Sequence, residues 1–240
     1  MLLLIQFFTR MPINRSLPCT KDDFRKAMWF LPILGGIIGA TQALVFYLAN
    51  MIFPISISIL LAMLTEYLIT GGLHIDGLAD TSDALFSGKK KDKAYSIMKD
   101  SSIGAFGAMA ILINLLFQYE GLQIIETPQI FIILGVVAKT AMLLLAYDGK
   151  SYGEGIGEVV TNNITFSAVM FAILIMTLSL ADSNSVIGSK GFVLTLALLL
   201  LTFMYKKLSY SIIGGLNGDQ YGFIHEVSKV VALLVLLAFL

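Results

Sequence analysis

Charge is what this sequence has least of. Only 13% of its 240 residues are Asp, Glu, Lys or Arg, against about 25% in an ordinary soluble domain. The 16 basic residues are matched by 16 acidic ones, so there is no bulk positive excess to hold a phosphate backbone, and no nucleic-acid partner is expected. A single cysteine, Cys19, excludes an intramolecular disulfide framework and a cysteine-rich metal centre, and no role attaches to it. Long linkers, low-complexity runs, internal repeats and a soluble domain are also missing. The opening MLLLIQFFTRMP is apolar but too short to span, has no basic residues before it and lacks a small-residue cleavage site. It reads as an interfacial segment rather than a signal peptide.

What is abundant is apolar: 57% of residues are hydrophobic and the mean hydropathy is +0.85. A spanning helix needs about 20 apolar residues, and about seven segments approach that length. They run from about Ala27 to Ala49, Ile52 to Leu73, Ile103 to Gln118, Gln129 to Tyr147, Ile164 to Ala181, Gly191 to Tyr205, and Gly222 to Leu240. The expected fold class is therefore all-α, one polytopic membrane domain over residues 1–240 with an N-terminal interfacial segment. Counting basic residues on alternating sides puts Arg10, Arg15, Lys21, Arg25, Lys26, Lys89, Lys90, Lys91, Lys93, Lys99, Lys150, Lys206 and Lys207 on one side. The opposite side has only Lys190, while Lys139 and Lys229 fall within spans. Loops rich in Lys and Arg stay cytoplasmic, so the N-terminus is expected in the cytoplasm. The same alternation gathers three polar clusters on that face, Glu66 to Gly107, Asp148 to Thr161 and Gly214 to Glu226.

The first cluster holds most of the chemistry. If a helix continues past His74, then Asp76, Asp80 and Asp83 fall at i, i+4 and i+7 on one face. Three carboxylates on one strip repel unless a cation sits among them, and Mg²⁺ prefers such oxygen donors. Glu66, inside a span, costs energy to bury and is a candidate fourth ligand. Gly71, Gly72 and Gly77 admit close approach of an anion or of another backbone; helix packing explains them equally well. Lys99, Asp100 and Ser102 stand where a helix starts, a place for phosphate or for simple capping. The run Lys89 to Lys93 reads first as topology and lipid contact. His74 is open to three readings: base, ligand or hydrogen-bonding partner. Lys139 is a snorkelling or neutralised lysine, or else a partner for phosphate. Asn217 and Asp219 form a turn or supply two oxygen donors. Carboxylate-held metal beside phosphate is the apparatus of phosphoryl transfer, here on a membrane-associated or amphipathic substrate.

Several blocks carry a family resemblance: TRMPI at Thr9 to Ile13, FLPILGGIIG at Phe30 to Gly39, TGGLHIDGLADTSDALFSG at Thr70 to Gly88, MKDSSIGAFG at Met98 to Gly107, EGIG at Glu154 to Gly157, and GGLNGDQYG at Gly214 to Gly222. With these in order over nearly its whole length, the chain resembles the cobalamin synthases, the adenosylcobinamide-GDP ribazoletransferases. The resemblance implies a cell-membrane enzyme, active on the cytoplasmic face, that joins adenosylcobinamide-GDP to α-ribazole or its 5′-phosphate, releases GMP and requires Mg²⁺. Carried onto this chain, the catalytic residues would be His74, Asp76, Asp80 and Lys99. The metal ligands would be Glu66, Asp76, Asp80 and Asp83. Substrate would meet Gly72, Gly77, Asp100, Ser102, Lys139, Asn217 and Asp219. A homo-oligomer, or contact with other enzymes of corrinoid assembly, is compatible with that role. The chain departs from the family pattern at Lys139, Asn217, Phe223 and Lys229. A CDP-alcohol phosphotransferase is the nearest rival, but its Ala-Arg pair and later aspartates do not fall at the needed offsets. A transporter would explain buried Glu66 and Lys139 but not polar clusters confined to one face.

Overall fold

A computed structural model describes residues 1–18, 20–153, 156–161, 164–180 and 187–239. Cys19, Glu154, Gly155 and most of the expected outer loop from Asp182 to Lys190 therefore lie outside the described residues. Among those described the chain is all-helical: α1 Leu2–Phe8, α2 Lys21–Met28, α3 Leu31–Ala49, α4 Ile55–Thr70, α5 Leu73–Phe86, α6 Asp92–Met98, α7 Ala105–Ile125, α8 Gln129–Ala146, α9 Ile156–Thr161, α10 Phe166–Ser179, α11 Ile187–Ile212 and α12 Gly218–Leu237.

Five of these, α3, α7, α8, α11 and α12, are long and apolar enough to cross a membrane, or six if the bent pair α4 and α5 counts as one span. The chain is thus a multi-pass membrane protein, but the expected count of about seven is not confirmed among the described residues. Two physical differences account for it. The segment expected from Ile164 to Ala181 forms only the 14 residues of α10, short of the roughly 20 needed to span. The segment expected from Ile52 to Leu73 stops at Thr70, where Gly71 and Gly72 take φ of 67° and 75° and the next helix turns away by 87°. Consecutive left-handed residues are accessible at little cost to glycine alone, so the glycine pair ends the apolar helix and re-aims the acidic one.

Helix α8 is the centre of the bundle, buried along most of its length and packed on α3, α12, α10 and α11. Its seam with α3 depends on missing side chains. A Cβ on Gly35 would stand 2.1 Å from the Gly135 carbonyl oxygen, and one on Gly135 would stand 2.2 Å from that of Gly35. Backbones this close are the small-residue contact by which helices associate in lipid. Helix α7 turns Met109, Leu112, Ile113, Leu116 and Phe117 outward, a lipid-facing stripe, while its Asn114 and Gln118 are buried toward α12. The N-terminal α1 docks Leu3, Leu4 and Phe8 into the main core and leaves Leu2 exposed. That docking brings the segment after it, Thr9 and Arg10, over the break between α4 and α5, where the Arg10 N–H donates to the Ile69 carbonyl at 2.7 Å.

A candidate active site where three polar clusters meet

The three polar clusters fold against one another. Ser151 pairs with Leu216 in an isolated bridge, the Tyr152 N–H donates to the Leu216 carbonyl at 2.8 Å, and the Leu216 N–H donates to that of Lys150 at 2.8 Å. The Tyr152 hydroxyl also donates to Asp92 at the start of α6. Helix α5 then crosses α12 at two glycines. A Cβ on Gly77 would lie 2.4 Å from the Asp219 carbonyl oxygen, and one on Gly222 would lie 2.9 Å from that of His74. Gly77 is therefore a packing position in this structure. Its contact sets the first turn of α12, with Asp219, beside the acidic face of α5.

Two cavities flank that face. An open one of about 630 Å³ is lined by Thr9, Arg10, Gly72, Asp76, Asp80 and Ser101 among others. A more enclosed one of about 370 Å³ is lined by His74, Asp76, Tyr95, Lys99, Tyr152, Glu158, Asn217 and Asp219 among others. Asp76 belongs to both. The Asp80 carboxyl is pushed up to about 7, chiefly by burial and then by the charges of Asp76 and Asp219, with Lys99 opposing. Lys99 donates to Asp219 at 2.7 Å. Burial works against its charge, but that bond and the Asp219 charge prevail and raise its pKa. An acidic group this poorly compensated suits a hard divalent cation, and Asp76 with Asp80 supplies oxygen donors of the kind such ions take.

The remaining expected site residues sit elsewhere. Both Asp83 oxygens are taken by α7: Oδ2 accepts from the Gly104 N–H at 2.7 Å and Oδ1 from the Gly107 N–H at 2.9 Å. A carboxylate there satisfies free N–H groups and opposes the positive end of the helix dipole. Asp100 accepts from the Ser102 N–H at 2.9 Å, an exposed local turn, and neither residue lines the two cavities. Asn217 caps α12 by accepting from the Gln220 N–H at 3.2 Å, and the residue also lines the enclosed cavity.

Glu66 is 7% exposed and held inside the bundle by Lys229, whose Nζ stands 3.2 and 3.1 Å from its two oxygens. Glu226 binds the same Nζ at 3.0 Å and accepts from Asn114 and Gln118. Glu66, His225 and Glu226 are close enough together to ligate an ion, but the Lys229 ammonium already supplies their positive charge. Lys139 is 1% exposed, lines neither cavity, and reaches His74 instead. His74 in turn stacks on His225 with ring centroids 3.9 Å apart, so a buried polar chain runs from the enclosed cavity to the Glu66 cluster.

Comparison with known proteins gives the chain its family. The family model described as cobalamin-5-phosphate synthase matches residues 1–237. The chain belongs to that family. A relative in Clostridium novyi (strain NT), named adenosylcobinamide-GDP ribazoletransferase, is 38% identical over 100% of this chain and 96% of its own. Relatives of the same name in Clostridium botulinum (strain Okra / Type B1) and Listeria monocytogenes serotype 4a (strain HCC23) are 36% and 35% identical, each over 98% of this chain and 96% of their own. No solved structure matches. Within this family member, sequence reasoning missed Arg10, Tyr95, Tyr152 and Glu158 as cavity residues. Arg10 lies in the TRMPI block and Tyr152 and Glu158 lie in the second polar cluster, so their neighbourhoods stood out although their side chains did not.

Proposed function

We propose that this chain is an adenosylcobinamide-GDP ribazoletransferase, joining the GDP-activated corrinoid to α-ribazole or its 5′-phosphate with release of GMP, at the cytoplasmic face of the cell membrane. The carrying observation is a family match over residues 1–237 in a chain whose Asp76 and Asp80 line one open cavity. The lopsided distribution of basic residues supports the cytoplasmic side.

In the reaction, a ribose hydroxyl of the acceptor attacks the phosphorus that bears the corrinoid. A new P–O bond forms, the bond to the GMP oxygen breaks, and its electron pair leaves with GMP. Asp76, between the two cavities, is the carboxylate best placed to take the hydroxyl proton. Arg10 binds phosphate oxygens, and Lys99, paired with Asp219 at 2.7 Å, lines the enclosed cavity beside Asp76. Asp76 and Asp80 would hold Mg²⁺, which when bound supplies charge neutralisation and orientation of the diphosphate. His74 Nε2 is occupied by Lys139, so His74 orients substrate as a hydrogen-bonding partner rather than receiving the proton there.

The test is direct. Purified protein in lipid nanodiscs, given adenosylcobinamide-GDP, α-ribazole and Mg²⁺, should release GMP and form the nucleotide-looped corrinoid; no product would overturn the reading. Asp76→Asn and Asp80→Asn should each abolish turnover in protein that still folds.

A further inference from the structure

The two cavities differ in chemistry in a way that sorts two substrates. Both share Phe7, Leu73 and Asp76 in their walls, so they are neighbouring chambers divided by a single stretch of α1 and α5. The open chamber brings together Arg10 and Ser101 beside Asp76 and Asp80, while the Thr9 and Thr70 hydroxyls already donate to the Ile5 and Glu66 carbonyls. Arg10 forms no salt bridge among the described residues. Its stem is laid against Gly71, where a Cβ would come within 2.0 Å of Nε, so the glycine break that re-aims α5 also makes room for this side chain. An exposed guanidinium fork with no ion-pair partner among the described residues is a recognition surface for phosphate oxygens.

The enclosed chamber is the opposite. Tyr95 and Tyr152 pack edge to face at 5.3 Å in its wall, and Phe7, Phe8, Met142 and Tyr221 add apolar and aromatic surface. Its charged groups are Asp76, Glu158, Asp219 and Lys99, and Lys99 is already paired with Asp219. A diphosphate would meet mostly like charge there. At about 370 Å³ it is near the lower end of the roughly 300–1,000 Å³ usual for small-molecule sites, far too small for a corrin ring but adequate for a flat base and its ribose.

We infer that the chambers are separate substrate sites: the enclosed aromatic chamber takes the base and ribose of the acceptor, the open chamber with Arg10 takes the donor's diphosphate, and Asp76 stands in the common wall where hydroxyl and phosphorus meet. This assignment rests on the transferase reading. It makes Tyr95, Tyr152 and Arg10 specificity-determining residues. The donor's bulky corrinoid stays at the mouth of the open chamber, and only its phosphates enter.

The assignment is tested by crossing variants with substrates in nanodisc-embedded protein. Tyr95→Leu and Tyr152→Leu should each raise KM for α-ribazole about tenfold, the factor that 1.4 kcal/mol represents, with KM for adenosylcobinamide-GDP unchanged. Arg10→Gln should do the reverse. Calorimetric titration of α-ribazole into protein without donor or metal gives a second readout, in which the two leucine variants weaken binding about tenfold and Arg10→Gln does not. Equal shifts in both constants, or the crossed pattern, would overturn the assignment of chambers while leaving the transferase standing. A wild-type protein that forms no corrinoid product would overturn the transferase reading itself and the assignment with it.

Discussion

The Lys139 Nζ, from α8, lies 2.6 Å from the Nε2 of His74 on α5, and both residues are buried. A lysine in that position acts on substrate only through the histidine it holds. Its ammonium also faces the Phe8 ring at 4.8 Å, so its surroundings are entirely protein. Removing it leaves a buried ring nitrogen without its partner, a loss of about 1–3 kcal/mol. Lys139→Met should therefore lower kcat about tenfold or more while leaving KM for the GDP donor unchanged, since no phosphate contact is lost. Steady-state kinetics with the donor varied separate the alternatives: a large rise in donor KM at constant kcat would return Lys139 to the substrate-binding role expected from sequence.

The Glu66 and Lys229 pair gives a second prediction. Breaking a buried pair by removing one charge is strongly destabilising, about 3–5 kcal/mol where no other partner remains. Here Glu226 still faces Lys229 at 3.0 Å, so Glu66→Gln should fall below that range, seen as a lower thermal midpoint in detergent. The Mg²⁺ concentration for half-maximal activity should stay where it is in the wild type, because Glu66 lines neither cavity. A several-fold rise in that concentration with unaltered stability would restore Glu66 as a ligand.

Asp83 separates capping from ligation in the same manner. Its two oxygens serve the Gly104 and Gly107 N–H groups, and loss of a helix cap costs about 1 kcal/mol. Asp83→Asn keeps one acceptor oxygen, so it should cost a few tenths to about 1 kcal/mol in chemical denaturation and retain most turnover. Activity as low as that of Asp76→Asn would place Asp83 in the machinery after all.

The acidic strip shows how far sequence reaches and where it stops. The i, i+4 spacing of Asp76 and Asp80 on a helix, the three convergent polar clusters and the membrane class were legible, because each follows from local periodicity or from charge counted along the chain. The partners of Glu66 and Asp83 were not. Lys229 is 163 residues from Glu66 and Gly104 is 21 from Asp83, and nothing local announces such pairings. The bend after Thr70 was not legible: the expected span runs through Gly71 and Gly72 to Leu73, and the two readings of those glycines concern close approach and packing, whereas both take left-handed φ and end the helix. Lys229 was seen as a departure from the family pattern, and its physical meaning is the counter-charge for Glu66 and Glu226.

Proton competition at Asp80 gives the last prediction. Its carboxyl titrates near 7 without metal, raised first by burial and then by Asp76 and Asp219. The sign follows from which form each partner needs: below about 7 the proton occupies the group, and a cation binds the ionised form. Mg²⁺ affinity, measured by calorimetry on nanodisc-embedded protein, should therefore rise as pH is raised from 6 to 8, with a proton released on binding below the midpoint. Asp76→Asn removes the second-largest cause of the shift, so any residual binding in that variant should reach its plateau at lower pH. Affinity that is flat from pH 6 to 8 in the wild type would mean that Asp80 is not among the groups the ion displaces.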